Sequence, residues 1–444
     1  MRNDEMRNWA RSHSYAGTLI RPGSLAEAAE VVAGSEHVRA VGTRHSFNDI
    51  VDSEQTLVSL DRLAYRHPGF RHDTGDTEGS EDTAEDVGSG AEPALDPSTG
   101  HVHVPAATRY ADLARFLEEH GRTLPNLASL PHIGIAGAIA TGTHGSGIHN
   151  PGLASSIVGL ELIAADGTEH TIDRESDRDI VDGATVSLGA LGLVHTVRLK
   201  TVPAFDVAQT VYGPVPFEAL ADAFDDVSGL GYSVSCFTTL RSDSFDTVWV
   251  KRVQEPGSAA PDTLLGAPAL RDETHPIPGI DPVNCTGQRG VPGPAADRLP
   301  HFRAEHLPSA GAEIQCEYLV PRHHARRALR ALAGLAGALA GLVQVSEVRS
   351  VAADRAWLSP MRDQPCVAIH FTFVRDAARV AAVLPLIEAA FGALDGRPHW
   401  GKVFDAAPER VRALYPRRSD FLDLAGGLDP TRKFSNAFVR RWVG

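Results

Sequence analysis

Two short β-rich segments carry polar residues at strand spacing. In VQVSEVRSV, residues 343–351, Glu347 and Arg349 fall two apart. In CVAIHFTFV, residues 366–374, His370 and Thr372 do the same. Residues i and i+2 of a strand share a face. The opposite face of the second segment is Val367, Ile369, Phe371 and Phe373, which reads as core. If the two strands are neighbours, Glu347, Arg349, His370 and Thr372 line one cavity. Such a set offers a carboxylate, a guanidinium, an imidazole and a hydroxyl to a small polar substrate. The same pattern also suits a solvated face of an antiparallel sheet. RPHWGK, residues 397–402, adds His399, Trp400 and Lys402 in a short turn. That lysine is one of four in the chain, beside 38 arginines.

A second chemical feature is glycine. Residues 134–147 hold Gly134, Gly137, Gly142, Gly145 and Gly147 among small and hydroxyl residues. Glycine lets backbone approach a ligand closely, and exposed N–H groups form anion-binding nests. Ser129, Thr141, Thr143 and Ser146 could add hydroxyl donors. The run reads either as a pyrophosphate cradle or as a plain loop packing two elements together. It is not a P-loop, because no GK[ST] follows, and no G-x-G-x-x-G follows the first strand.

The elements around these groups are mixed. SLAEAAEVVAG, residues 24–34, opens with Ser24 and Glu27 and predicts a helix behind a capping box. HVRAVG (37–42), TLVSL (56–60) and HVHV (101–104) read as strands, the first running into the polar turn GTRHSFND at 42–49. YADLARFLEEHG (110–121) is a helix closed by Gly121. Residues 155–172 form a hairpin turned at Asp166-Gly167, and 187–203 a turn and a further strand. The irregular alternation predicts α+β and not a doubly wound sheet. We expect one domain over 1–205, a cap-like domain over 206–400 and a segment, 401–444, that packs on something earlier.

Composition limits the function. The 444 residues carry 42 Lys+Arg against 56 Asp+Glu, a net charge of −14. Nine of the acids lie between His72 and Asp96, with no lysine or arginine among them. That stretch is expected to be a mobile surface loop, with an acidic docking element as the alternative. An acidic chain is a poor match for nucleic acid. No run of about 18 apolar residues occurs, so no membrane span is expected, and residues 1–14 lack the apolar stretch of a secretory signal. The four cysteines form no CxxC, which argues for a reducing cytoplasm. His101/His103 and His323/His324 lack further ligands at metal spacing, so no metal site is expected.

Six motifs in order, GTRHSFND, LASLPH (127–132), ATGTHGSG (140–147), SLGALG (187–192), PHWGK (398–402) and LDPTRKFSNAF (428–438), resemble the vanillyl-alcohol-oxidase type of FAD-dependent oxidoreductase. The closer match is to the alditol (xylitol/sorbitol) oxidases, near the sugar-lactone oxidases, and a sugar-1,4-lactone oxidase or dehydrogenase of the same fold is the alternative reading. The resemblance implies an α+β FAD domain completed by the C-terminal segment, with a substrate cap. It implies His45 as the covalent flavin attachment site. FAD would be held by Val41, Gly42, Thr43, Arg44, His45, Ser46, Phe47, Ser129, Gly134, Gly137, Thr141, Gly142, Thr143, His144, Gly145, Ser146, Val194 and His399. Substrate hydroxyls would meet Ser129, Glu347, Arg349 and Thr372, and Arg349, His370 and Lys402 would serve catalysis. Two departures are Gly42-Thr43-Arg44, where GSG is common, and Pro105-Ala106-Ala107, where glycines are common.

The implied reaction takes the terminal primary alcohol of a polyol to the aldose, with hydride to flavin N5 and O2 reduced to hydrogen peroxide. Full deprotonation of an alcohol of pKa about 15.7 at neutral pH would cost roughly 11 kcal/mol. Proton loss must therefore accompany hydride transfer, with His370 the candidate acceptor. One acid, Glu347, beside Arg349 and Lys402 predicts a cavity of net positive charge. The partners expected are the polyol and O2, and a monomer in the cytoplasm.

Overall fold

The computed structural model describes residues 6–63, 92–255, 260–306 and 312–444. The acidic run at 72–91 lies outside these residues. Its tail does not: Ala94–Leu95 pairs as a strand with His101–Pro105, and Asp96 accepts hydrogen bonds from Ser98 and Thr99.

Near the N-terminus, three short parallel strands lie in the order Thr18–Ile20, Thr56–Val58, Val38–Ala40. The helix Leu25–Gly34 covers them, burying Ala28 and Val32 against Val38, Val58, Ile163 and Phe434. Its cap differs from the predicted box in one contact. Ser24 Oγ accepts from the Glu27 N–H, but the Glu27 carboxylate reaches the Gly23 N–H, one residue further back. A second, antiparallel sheet runs Ala94–Leu95, His101–Pro105, Leu193–Lys200, Ile157–Ile163, Glu169–Asp173. The last two strands form the hairpin predicted at Asp166-Gly167, with Gly167 at φ 87°.

Residues 206–398 build an eight-stranded antiparallel sheet. Its order is Pro292–Pro294, Asp206–Tyr212, Thr247–Val253, Ser233–Thr238, Val343–Val351, Cys366–Val374, Glu313–Pro321, Arg397–Pro398. One face packs on the helices Ala325–Gly334 and Ala377–Gly392 through Val348, Ile369, Phe371, Tyr318 and Phe391. Strand parity then turns Glu347, Arg349, His370 and Thr372 to the other face.

The chain end returns to the N-terminal elements. Asn436 Nδ2 donates to the carbonyls of Asp49, Ile50 and Asp52. Arg39 is 3% exposed and donates to the carbonyls of Ile50, Leu188, Gly189 and Phe434, tying four segments at one guanidinium. Lys433 Nζ caps the helix Leu25–Gly34 at the Val32 and Ala33 carbonyls.

Candidate active site

The GTRHSFND turn is fixed from two sides. Trp9 N–H donates to Arg44 O at 2.8 Å and Asn8 Nδ2 to Ser46 O at 2.9 Å. Phe47 N–H donates to Gly401 O, while Asn48 Nδ2 donates to Trp400 O and Lys402 O. Arg44 takes a left-handed φ of 61°, which swings the chain so that His45 lines the cavity. His45 Nδ1 lies 2.9 Å from Thr43 Oγ1, whose oxygen accepts the Gly134 N–H at 3.0 Å. The ring stacks on Trp9. Burial, with Lys402 and Arg44 close by, pushes the His45 imidazole down to about 3, so it is neutral at physiological pH.

The facing wall comes from three adjacent strands. Glu347 sits directly opposite His370 in one pairing, and His370 opposite Glu317 in the next. Thr372 likewise faces Gln315. Arg349 is the hub: its Nη2 is 2.5 Å from Glu317 Oε1, its Nη1 donates to Ser129 Oγ at 3.2 Å, and its Nε is 3.5 Å from Glu347 Oε1. Glu317 also meets His144 Nε2 at 3.3 Å and His370 Nδ1 at 3.5 Å. His370 Nε2 lies 3.2 Å from Thr372 Oγ1. Lys402 Nζ donates to Gln315 Oε1 and stands over the Phe47 ring. The stripe is therefore buried and not a solvated sheet face: Glu347, Arg349, His370 and Thr372 are 6–8% exposed.

The electrostatics follow from that burial. Burial alone would raise the Glu317 carboxyl, but Arg349, His144 and His370 hold it well below the usual carboxylate range. Glu347 is held down in the same way by Arg349 and His301. Burial lowers His370 and Lys402, and pushes His399 down to about 3. Both histidines are thus neutral and Arg349 is charged. The expected positive balance is corrected at the substrate wall alone, since the whole cavity is also lined by Arg21, Arg39, Arg44, Arg62, Arg109 and Arg115. At that wall Glu313, Glu317 and Glu347 stand with Arg349 and Lys402, three acids to two cations.

A continuous cavity of about 1760 Å³ joins the two walls. That exceeds the roughly 300–1,000 Å³ of a drug-sized pocket, leaving room for a dinucleotide and a small substrate together. Val41 to Phe47, Ser129, Gly134, Gly137, Thr141, Thr143, His144, Val194 and His399 all line it. At Gly42 and Gly137 an added Cβ would meet no protein atom within 4 Å, as suits positions left open for a ligand. These residues fit FAD. Gly142, Gly145 and Ser146 stand off the lining. A Cβ at Gly145 would sit 2.3 Å from Asn126 Oδ1, Gly142 packs on Pro360, and Ser146 Oγ donates to Val234 O. The glycine run thus serves both purposes, ligand approach at its start and tight packing at its end.

Sequence reasoning missed Glu317, Gln315 and His301. The first two had a readable signal, since Glu313, Gln315 and Glu317 alternate along Glu313–Pro321 as the two recognised stripes do. His301 lies in an irregular stretch with no periodicity.

A dinucleotide-sized cavity, a neutral histidine in its wall and a buried polar face for substrate define a flavin-dependent oxidoreductase. Two family models match: an FAD binding domain over residues 93–173 and D-arabinono-1,4-lactone oxidase over 312–442. The second span holds Gln315, Glu317, Glu347, Arg349, His370, Thr372, His399 and Lys402, while Ser129, His144 and His301 lie outside it. Alditol oxidase of Streptomyces sp. (strain IKD472 / FERM P-14339) is 43% identical, covering 98% of this chain and 97% of that protein. L-gulono-1,4-lactone dehydrogenase of Mycobacterium tuberculosis is 27% identical over 98% of each. Among solved structures, cholesterol oxidase from Brevibacterium sterolicum superposes with a TM-score of 0.73 at 14% identity, covering 99% of this chain and 96% of that one. The chain belongs to the vanillyl-alcohol-oxidase type of FAD-dependent oxidoreductases, on the alditol oxidase branch, and FAD is its cofactor.

Proposed function

We propose that this chain oxidises the terminal primary alcohol of a polyol of the xylitol or sorbitol class to the aldose, with O2 as electron acceptor and hydrogen peroxide as product. The observation that carries this reading is the wall itself. Carboxylates, a guanidinium, an ammonium, an imidazole and two hydroxyls converge on one cavity, matching a substrate with a hydroxyl on every carbon. A lactone presents fewer donors to Glu347 and Glu317. The 43% identity to an alditol oxidase supports the polyol over the lactone, whose enzymes are more distant.

The division of labour follows from the chemistry. The bound flavin supplies the two-electron acceptor for the carbinol hydride and passes the electrons to O2. His45, neutral and turned into the cavity, is the residue through which we infer covalent attachment. Val41–Phe47, Gly134, Gly137, Thr141, Thr143 and Val194 hold the cofactor. Arg349 and Ser129 orient the reacting hydroxyl, and Glu347 and Thr372 accept or donate to the others. Arg349 and Lys402 place positive charge where the alcohol oxygen becomes anionic as its proton leaves. His370, neutral and flanked by Glu317 and Glu347, takes that proton, and the adjacent carboxylates stabilise the imidazolium formed. Lys402 and His399, which line the same cavity, would lie beside the flavin.

The chain organisation we propose is an FAD domain over 1–205, a cap over 206–400 and a segment over 401–444 that completes the FAD domain. The Asn436, Arg39 and Lys433 contacts support the last part. No helix among the described residues is long and apolar enough to cross a membrane. A cytoplasmic location agrees with the four buried cysteines, none of them in a disulfide. A panel of xylitol, sorbitol, glycerol and L-gulono-1,4-lactone scored for peroxide tests the function. Faster turnover of the polyols supports it, and preference for the lactone overturns it.

A further inference from the structure

Glu347 is held by a buried chain of groups that the mechanism above leaves unused. Lys251, on the strand Thr247–Val253, is 0% exposed. Its Nζ donates to Leu299 O at 2.6 Å and Pro300 O at 3.0 Å, and lies 3.1 Å from His301 Nδ1. Burial pushes the Lys251 amine down to about 7; in its charged form it has three protons and no lone pair, so its third partner accepts. His301 therefore carries its proton on Nε2, which faces Glu347 Oε1 at 2.7 Å. The ionised carboxylate can only accept, which demands the same tautomer.

The imidazole cannot turn. Phe237 and Trp249 pack edge-on against it, each at 5.4 Å between centroids. Its backbone N–H donates to Ser129 O at 3.0 Å, so one residue ties Glu347 and Ser129 together. Glu347 Oε1 is thus engaged by His301 and by Arg349 Nε. Glu347 lines the cavity, and its Oε2 makes no hydrogen bond with the described residues.

We propose that Lys251 and His301 are positioning residues that set how the substrate is gripped at Glu347. They fix one carboxylate oxygen in place and in its ionised state, so that the other accepts a polyol hydroxyl. The inference rests on the polyol reading of the site. It places specificity partly in two residues that lie on elements remote in sequence from the catalytic strands. Loss of the pair leaves Glu347 free to rotate and to re-pair with Arg349, which weakens binding more than it slows the chemical step.

Steady-state kinetics with xylitol on the flavin-loaded enzyme test this. His301→Phe keeps the ring and removes the donor; KM is expected to rise about tenfold to a hundredfold, with a much smaller change in kcat. His301→Gln, which presents an amide N–H in place of Nε2–H, should recover most of that loss. Lys251→Met should raise KM in the same direction, and it carries the test if His301→Phe does not fold. Glu347→Gln is the control. If it raises KM and the double variant with His301→Phe is no worse, the two act through one carboxylate. If Glu347→Gln raises KM but His301→Phe and Lys251→Met leave it unchanged, or if His301→Gln rescues nothing, the inference is overturned while the polyol reading stands. If Glu347→Gln leaves KM unchanged, the substrate role of Glu347 fails and the inference with it.

Discussion

Arg349 is the group whose loss should be felt in two separate measurements. It is 6% exposed and touches Glu317 at 2.5 Å, Ser129 at 3.2 Å and Glu347 at 3.5 Å. Arg349→Met keeps an apolar stem and removes the charge, leaving two buried carboxylates without their guanidinium. Breaking a buried ion pair from one side costs about 3–5 kcal/mol. Unfolding entropy of about 2.1 cal/mol/K per residue gives roughly 1 kcal/mol per kelvin for a chain of this length. Melting should therefore fall by about 3–5 °C at pH 7 if the chain unfolds as one unit. Glu317 and Glu347 have depressed pKa values, so the stability they contribute is present above about 4.5, the ordinary value, and lost as pH falls. The gap between wild type and variant should be widest at neutral pH and shrink on acidification. The double variant Glu317→Gln/Arg349→Met should melt higher than Arg349→Met, because one orphaned charge is gone. Turnover should drop by about 100- to 1,000-fold for loss of a fixed charge at the developing alkoxide, and Arg349→Lys should fall between. Calorimetry across pH 4–8 with peroxide-coupled kinetics measures both. A variant that melts with wild type at pH 7, or a double variant less stable than the single, refutes the buried-charge reasoning.

Further outcomes test other parts of the account. Asp354 is buried and its carboxyl is pushed up to about 6, so stability is greatest below the ordinary value of 3.8 and is lost as pH rises to 6. Asp354→Asn should stabilise the fold at pH 7 by about 2–3 kcal/mol, roughly 2–3 °C in melting temperature, and have little effect at pH 3.5. Gly145→Ala should destabilise by about 1–3 kcal/mol, since its Cβ would meet Asn126 Oδ1 at 2.3 Å. Gly137→Ala meets nothing within 4 Å; it should leave the melting of the flavin-free protein unchanged or higher, and reduce flavin retention. His45→Ala should shift the yellow colour from the acid-precipitated protein to the supernatant; a variant pellet as yellow as wild type removes His45 from the attachment role.

Much of the substrate wall was legible because strand parity is a strict rule. Val343–Val351 and Cys366–Val374 pair directly, and their alternate residues divide between core and cavity as predicted. The same rule on Glu313–Pro321 would have found Glu317, but the aliphatic run that follows hides the stripe. The wrong charge balance at the substrate wall came from omitting Glu313 and Glu317, which stand on this strand. His301 was beyond reach, since a histidine in a loop is placed only by the tertiary contacts of Lys251, Phe237 and Trp249. The scarcity of lysine proved informative: Lys251 is buried, Lys402 lines the cavity and Lys433 caps a helix. In the glycine run the sequence could not separate ligand approach from packing, because only the neighbours of each missing Cβ distinguish Gly137 from Gly145.

The most direct test of the central claim is anaerobic mixing of the flavin-loaded protein with xylitol, followed in the visible flavin band. The account expects the band to bleach and to return on admitting air, with one aldose and one hydrogen peroxide formed per cycle. A band that no polyol bleaches, in protein whose flavin a chemical reductant still reduces, contradicts it.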